Sequence, residues 1–294
     1  MTTALLPDYP CYLNGAYGPL SEARISPMDR GFIFGDGIYE VLPVYARRLF
    51  RFEAHMERME RGLARLRIEN PHSRAEWRAI ARRLIEQLPE GEDQRIYLQV
   101  TRGVAMRNHV MLPGLVPTVF AYTNPAPPMP AELRHQGLAC VTARDFRWEQ
   151  ADIKCTSLLG NVLARQISAD AGAAETILLR EGFLTEGSSS NVWIVKEGAL
   201  LGPPRGEHLL EGIRVELLRE LCEECGIGYN LRPISEAELF GADEVLLSSA
   251  GREVVAVTSL DHEPVGHGAL RGKPGPVYAR LYEAYQKAKL TQSS

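Results

Sequence analysis

The chain has 294 residues, 45% of them hydrophobic and 24% charged, with a formal net charge of -4. That length exceeds the usual size of one core, so two subdomains are expected, and the composition is that of a soluble globular protein. The small negative charge supplies no long-range attraction to nucleic acid or an anionic membrane. No apolar run is long enough to span a bilayer, and the start at Met1–Asp8 lacks the basic and apolar regions of a signal peptide, so a cytoplasmic protein is expected. Cys11, Cys140, Cys155, Cys222 and Cys225 are irregularly spaced, which argues against a disulfide framework. Cys222-Glu-Glu-Cys225 has no second Cys or His pair to complete a tetrahedron, so no metal site is expected.

In chain order, residues 12 to 25 read as a hairpin turning at Asn14-Gly15. Gly35-Asp-Gly37 resembles the start of a dinucleotide fingerprint, but Glu40 stands where the third glycine belongs and a strand-like run follows. The glycines are expected instead to turn the backbone and aim Tyr39 and Glu40 at a pocket. A helix is predicted over 53–68, with Met56, Met59, Leu63 and Leu66 on one face. Arg58 lies beside that stripe and taken alone reads as a solvated arginine. A second helix covers 74–88, and a strand from 95 to 103 leads to Arg107 and His109. In an extended segment those two side chains point the same way, so with Tyr97 nearby they could hold a small carboxylate; a plain polar loop is the other reading. After a strand over 116–122, Pro125, Pro127, Pro128 and Pro130 favour an extended spacer. The expected division is therefore a domain over 1–123, a linker over 124–130 and a domain over 131–294.

The second half starts with a strand over 138–142. Lys154 then opens a helical pattern, capped by Thr156 or Ser157, carrying Leu158, Leu159, Val162, Leu163 and Ile167 and ending near Gly172. Strands over 175–179 and 192–195 flank the small-residue turn Thr185-Glu186-Gly187-Ser188-Ser189-Ser190-Asn191. A lysine at the mouth of a buried helix and a glutamate on a tight turn suit carbonyl-imine chemistry. Lysine can form a Schiff base with pyridoxal phosphate, and a carboxylate can keep that cofactor's ring nitrogen protonated. Gly212 precedes a helix with Val215, Leu218, Leu221 and Cys222 along one side, and backbone N–H groups at such a start suit a phosphate. The turn from Ser248 to Gly251 could add donors to the same anion. A last helix is predicted over 275–288.

Asp29-Arg-Gly-Phe-Ile-Phe-Gly-Asp-Gly-Ile-Tyr-Glu40, Asp152-Ile-Lys154, Asn161 and Thr185–Asn191 together resemble the fold-type IV pyridoxal phosphate enzymes over nearly the whole chain. That group includes D-amino acid aminotransferases, branched-chain L-aminotransferases and 4-amino-4-deoxychorismate lyases. Tyr97–Gly103 followed by Arg107-Asn-His109 is most similar to the D-amino acid aminotransferase. The resemblance implies an α/β (α+β) fold with a smaller N-terminal and a larger C-terminal domain, the cofactor between them, and a homodimer. It implies Lys154 as the catalytic, Schiff-base-forming residue of a ping-pong cycle between a D-amino acid and a 2-oxo acid. Glu186 would pair with the ring nitrogen. Arg58, the backbone at Ile213 and Arg214, and the turn at Ser249 and Ala250 would hold the phosphate. Tyr39, Arg107 and His109 would bind the substrate carboxylate, the last two reaching across from the partner subunit. The family commonly has threonine at the positions of Arg214 and Ala250, so two hydroxyls are absent here and Ser248 or Ser249 is expected to substitute. The alternatives on the same scaffold are the branched-chain enzyme and the lyase; a non-catalytic binding protein would lack Lys154 or Glu186.

Overall fold

The computed structural model describes residues 7–294. Two compact units divide the chain: one holds the residues through Pro128 with Ile153–Leu158 and Gln292–Ser294, and the other holds Met129–Asp152 and Leu159–Thr291. Among the described residues no helix is long and apolar enough to cross a membrane.

The first unit contains β1 (Pro10–Leu13), β2 (Ala16–Pro19), α1 (Arg30–Phe34), β3 (Gly37–Tyr45), β4 (Arg48–Leu49), α2 (Phe52–Arg65), α3 (Arg74–Ile85), β5 (Gln94–Thr101) and β6 (Thr118–Pro125). Among the described residues the sheet has six strands in the order β2-β1-β6-β5-β3-β4, and every pairing given for it is antiparallel. The Asn14-Gly15 turn has φ of 47° and 96°, the left-handed pair a two-residue hairpin requires. The hairpin is shorter than expected: β2 stops at Pro19, and a single 3-10 turn follows at Leu20–Glu22. β6 also runs further than expected, because Thr123–Pro125 still pair with Gln94–Ile96 and a proline is tolerated at a strand's end. One sheet face packs on α2 and α3 through Ile38, Leu42, Ile96, Leu98, Met56, Leu63, Trp77 and Leu84. A capping box of Ser73 and Glu76 starts α3 and satisfies two of its first amides.

The second unit contains α4 (Ala131–Gln136), β7 (Leu138–Arg144), α5 (Leu159–Asp170), β8 (Glu175–Arg180), β9 (Phe183–Gly187), β10 (Asn191–Lys196), β11 (Ala199–Gly202), α6 (Ile213–Cys225), β12 (Tyr229–Leu231), α7 (Glu236–Phe240), β13 (Glu244–Ser249), β14 (Glu253–Leu260), β15 (Glu263–Pro264) and α8 (Pro276–Thr291). Among the described residues its sheet has nine strands, in the order β12-β11-β10-β13-β14-β7-β8-β9 with β15 beside β14. Ile177, Leu179, Val192, Ile194, Val245, Leu247 and Val255 form its core with Ile234 and Leu239.

Two expectations for this half are corrected. Glu186 is not in a turn: it lies on β9, whose hairpin with β8 turns at Glu181 and Gly182, both at positive φ. The Lys154 helix is not buried and does not start at Lys154. α5 begins at Leu159, and Leu159, Val162, Leu163 and Ile167 are exposed by 71, 60, 52 and 37%. Its buried face is the small one, Ala164 and Ser168. The Thr176 hydroxyl draws that face onto β8 by donating to Ala164 O at 2.6 Å and accepting from Ser168 N at 3.0 Å.

Candidate active site

Lys154 sits in an extended segment stitched to one edge of β3. Tyr39 N donates to Lys154 O at 3.0 Å, Thr156 N donates to Gly37 O at 2.9 Å, and Ile38 bridges Cys155. This pairing occupies backbone groups that a helix start would use, which explains the later onset of α5. Gly35, at φ 67°, has no room for a side chain, since a Cβ there would collide with Ser157 Oγ. The half-buried Lys154 ammonium lies 4.1 Å from the centre of the Tyr39 ring, a cation–π contact that holds the amine over an aromatic face. Tyr39 in turn stacks on Tyr97 at 5.6 Å, and Tyr97 lies 5.3 Å from Tyr122. Register puts these three tyrosines on the sheet face opposite the core. Burial, together with the neighbouring Tyr39 and Tyr122, pushes the Tyr97 hydroxyl above its ordinary pKa, so it stays protonated and donates to Gln99 at 2.7 Å.

Glu40 does not share that face. It follows Tyr39 directly, so strand alternation turns it into the core, where it is fully buried. Arg58 donates to its two oxygens from Nε and Nη2, each at 2.7 Å, and His55 Nδ1 lies 2.7 Å from Oε2. Burial pushes the Glu40 carboxyl up, but the Arg58 charge and the hydrogen bonds from Arg58 and His55 outweigh it and hold the group far below the carboxylate range. Arg58 is therefore not a solvated arginine. It is buried, and Glu40 sets the plane of its guanidinium.

Arg107 and His109 lie on an exposed loop without regular structure, yet both reach one aromatic ring. The Arg107 guanidinium is 5.6 Å from the centre of Phe34, and the His109 ring lies 5.3 Å from it, tilted by 44°. Among the described residues no carboxylate pairs with Arg107.

In the second unit, Glu186 is buried and accepts from a guanidinium and a backbone amide. Arg147 Nη1 donates to Oε1, and the backbone amide of Leu210 donates to Oε2 at 3.1 Å. Arg147 is itself fixed by Asp145 at 3.0 and 2.9 Å and by the carbonyl of His208 at 3.2 Å. Burial raises the Asp145 carboxyl, but its bonds and charge interaction with Arg147 prevail and hold it below its usual range. The serine turn after Glu186 is gathered onto the buried Glu175. Its carboxylate accepts from Ser188 N at 3.1 Å, Ser189 Oγ at 3.0 Å, Ser190 Oγ at 2.9 Å and Arg252 at 2.9 Å.

Helix α6 starts at Gly212 without a side-chain cap, which leaves its first-turn amides to another acceptor. Gly212 is pressed on Asn191: a Cβ there would collide with Asn191 Oδ1, while Asn191 Nδ2 donates to Leu210 O at 2.9 Å. Asn191 pairs with Ser248 across β10 and β13, so Ser249 and Ala250 lie toward the same end of the sheet. Ser248 Oγ accepts from Trp193 at 2.9 Å, and Ser249 Oγ accepts from Arg252 N at 3.1 Å. The Arg214 side chain is buried and donates to Tyr285 on α8 at 3.2 Å; only its backbone belongs to the helix start.

Asp145, Arg147, Glu175 and Leu210 were not legible as site residues. Asp145-Phe-Arg147 carries a weak signal, two opposite charges at strand spacing, but nothing local links it to a glutamate so far along the chain. Cys222 is buried on α6, with its thiol pushed up to about 12 by burial and the nearby Cys225, so it belongs to packing rather than redox chemistry. The arrangement within each unit fits pyridoxal phosphate. There is an amine on an aromatic face, a carboxylate locked between a cation and an amide, and a glycine helix start that admits no side chain.

Residues 37–260 match the profile of the amino-transferase class IV family. The chain is 38% identical over 281 residues to a D-alanine aminotransferase of Bacillus licheniformis, covering 96% of this chain and 97% of that one. A D-alanine aminotransferase of Staphylococcus aureus (strain COL) is 38% identical over 277 residues, 94% of this chain and 96% of that one. A branched-chain aminotransferase of Thermoproteus uzoniensis with norvaline superposes with a TM-score of 0.87 at 23% identity, covering 97% of this chain and 95% of that one. A T.th. branched-chain amino acid aminotransferase complexed with N-(5'-phosphopyridoxyl)-L-glutamate gives 0.87 at 24%, covering 97% of this chain and 95% of that one. At such identities the structures speak for the fold alone.

Proposed function

The chain belongs to the class IV aminotransferases, which work with pyridoxal phosphate, and from that premise we propose that it moves an amino group between a D-amino acid and a 2-oxo acid. The observation that carries this reading is the Arg107–His109 loop. A guanidinium and an imidazole each lie against the Phe34 ring, with no carboxylate of the described chain on Arg107, so an incoming α-carboxylate meets an unclaimed fork. The D-alanine aminotransferase relatives support the stereochemistry, while the branched-chain alternative rests on likeness of fold.

The cofactor, when bound, supplies an imine carbon and an electron-withdrawing ring that together make the substrate Cα–H acidic. In the first unit, Lys154 Nζ is assigned to hold the cofactor and then to take and return the Cα proton from its place over Tyr39. Arg58, its plane fixed by Glu40, is assigned a phosphate contact, and Tyr39, Arg107 and His109 the substrate carboxylate. In the second unit, Arg147 and Leu210 orient the Glu186 carboxylate by donating to its oxygens, which suits it to a protonated ring nitrogen. The amides at Ile213 and Arg214 and the Ser249–Ala250 turn are assigned the phosphate, aided by the positive end of α6.

We also infer a homodimer. A partner subunit would cover the exposed α5 stripe of Leu159, Val162, Leu163 and Ile167, and Met106, Val110 and Val116 on the loop. Five free cysteines suit a reducing cytoplasm.

The test is a steady-state assay of D- and L-alanine against 2-oxoglutarate. A clear preference for D-alanine is expected, and preference for the L-substrate would overturn the assignment. Lys154→Ala should abolish turnover while the folded protein still takes up pyridoxal phosphate weakly; substantial residual turnover would remove Lys154 from its role.

A further inference from the structure

We infer that Phe34 positions the Arg107–His109 pair to receive the substrate carboxylate, an inference that rests on reading that pair as the carboxylate clamp. Phe34 closes the short α1, immediately before the Gly35 turn, and is half-buried. Its ring is the common contact of three cationic or ionisable groups: Arg107 at 5.6 Å, His109 at 5.3 Å and Arg30 at 4.9 Å. The loop bearing Arg107 and His109 is otherwise exposed.

One backbone tether fixes that loop relative to the ring. Arg30, only 3% exposed, donates from Nη1 to the carbonyl of Asn108, the residue between Arg107 and His109. Arg30 is anchored by Asp36 at 2.7 Å, and Arg102 grips the same carboxylate at 2.7 and 3.0 Å. Burial pushes the Asp36 carboxyl up, but the two arginines outweigh it and keep it below its ordinary range, so the anchor stays anionic. The backbone between Arg107 and His109 is therefore fixed from the buried side, and both side chains fall on Phe34.

The choice of an aromatic partner has a chemical reason. A glutamate or aspartate beside Arg107 would immobilise it equally well, but would neutralise it and compete with the substrate's own carboxylate. A ring attracts the guanidinium through its negative π-face and accepts none of the in-plane N–H groups. Those N–H groups, in their fixed fork, are what a carboxylate recognises bidentately. A leucine of similar volume would fill the space without the quadrupole, so the two properties can be separated by substitution.

The experiment compares wild type, Phe34→Leu, Phe34→Tyr and Arg107→Leu as holoenzymes. It measures kcat and KM for D-alanine and 2-oxoglutarate, the inhibition constant of propionate, pyridoxal phosphate retention and Tm. Loss of a contact of this kind predicts that Phe34→Leu raises both KM values and the propionate constant about fivefold. Its kcat should stay within about twofold, with retention and Tm unchanged, because a clamp that binds ground and transition states alike shows itself in KM. Phe34→Tyr, which keeps the ring, should return the KM values to wild type. If Arg107→Leu raises KM and Phe34→Leu does not, Phe34 has no positioning role. If the leucine and tyrosine variants raise KM equally, the ring's quadrupole is not the cause and the inference is overturned. If Arg107→Leu itself leaves KM unchanged, the clamp reading fails first, and the failure is separately visible.

Discussion

Two buried carboxylates, each gripped by an arginine, are built differently. Glu40, under the sheet of the first unit, receives both the Nε and the Nη2 of Arg58 at 2.7 Å and lies against His55, deep in a core of leucine, isoleucine and methionine. Glu186, near the end of β9 in the second unit, receives one guanidinium nitrogen and one backbone amide, and its arginine is shared with Asp145. In the first pair two nitrogens of one guanidinium close on the two oxygens of the glutamate. In the second the arginine keeps Asp145 whatever happens to Glu186. Asp145 thus balances Arg147 independently of Glu186, whereas Glu40 serves to set the plane of the Arg58 guanidinium.

Exchanging the carboxylates for amides sharpens this contrast. Glu40→Gln removes the buried carboxylate that both Arg58 and His55 contact and should cost about 3–5 kcal/mol of stability in denaturant unfolding. The wild-type counterpart is a pH effect. The Glu40 carboxyl is depressed in the folded state, so its contribution is complete above the unfolded value of about 4.3 and is lost as pH falls through that value and below it. Asp145 acts with the same sign. Tm should hold level at neutral pH and fall under acid, less steeply in Glu40→Gln; a profile equally steep in the variant would remove Glu40 from that role.

Glu186→Gln comes next in size. Because Asp145 still holds Arg147, stability should change by only about 1 kcal/mol. Turnover should fall about 100-fold, roughly 2.7 kcal/mol of transition-state stabilisation, as the ring nitrogen loses its anion. Should Glu186→Gln unfold as easily as Glu40→Gln, the two sites would not differ in the way described.

The smallest effect belongs to Asn191→Ala, which removes the bond to Leu210 O and the side chain against Gly212. A loss of about 1 kcal/mol is expected from one neutral hydrogen bond, with pyridoxal phosphate retained severalfold less well. Retention equal to wild type in equilibrium dialysis would show that the Leu210–Gly212 segment does not depend on this anchor.

What the sequence determined by itself was whatever short-range geometry encodes. The Asn14-Gly15 turn, the α2 stripe of Met56, Met59 and Leu63, and the helix start at Gly212 follow from backbone preference and a fixed periodicity, and all three stand in the structure. Lys154 and Glu186 could be singled out because their neighbours are short, polar motifs read along the chain. The tertiary structure decided which faces are covered and which charges meet. Periodicity identified an apolar stripe on α5 but not that Thr176 would turn the opposite, small face onto the sheet. The expectation that Tyr39 and Glu40 share a pocket fails on strand alternation, and only packing revealed that the Glu40 side is the core and that Arg58 meets it there. Arg147 meets Glu186, and Arg30 meets Asn108, across long stretches of chain. A contact of that kind is a property of the folded sheet, because the chain entropy separating the partners is overcome by burial of the whole core and by no local preference.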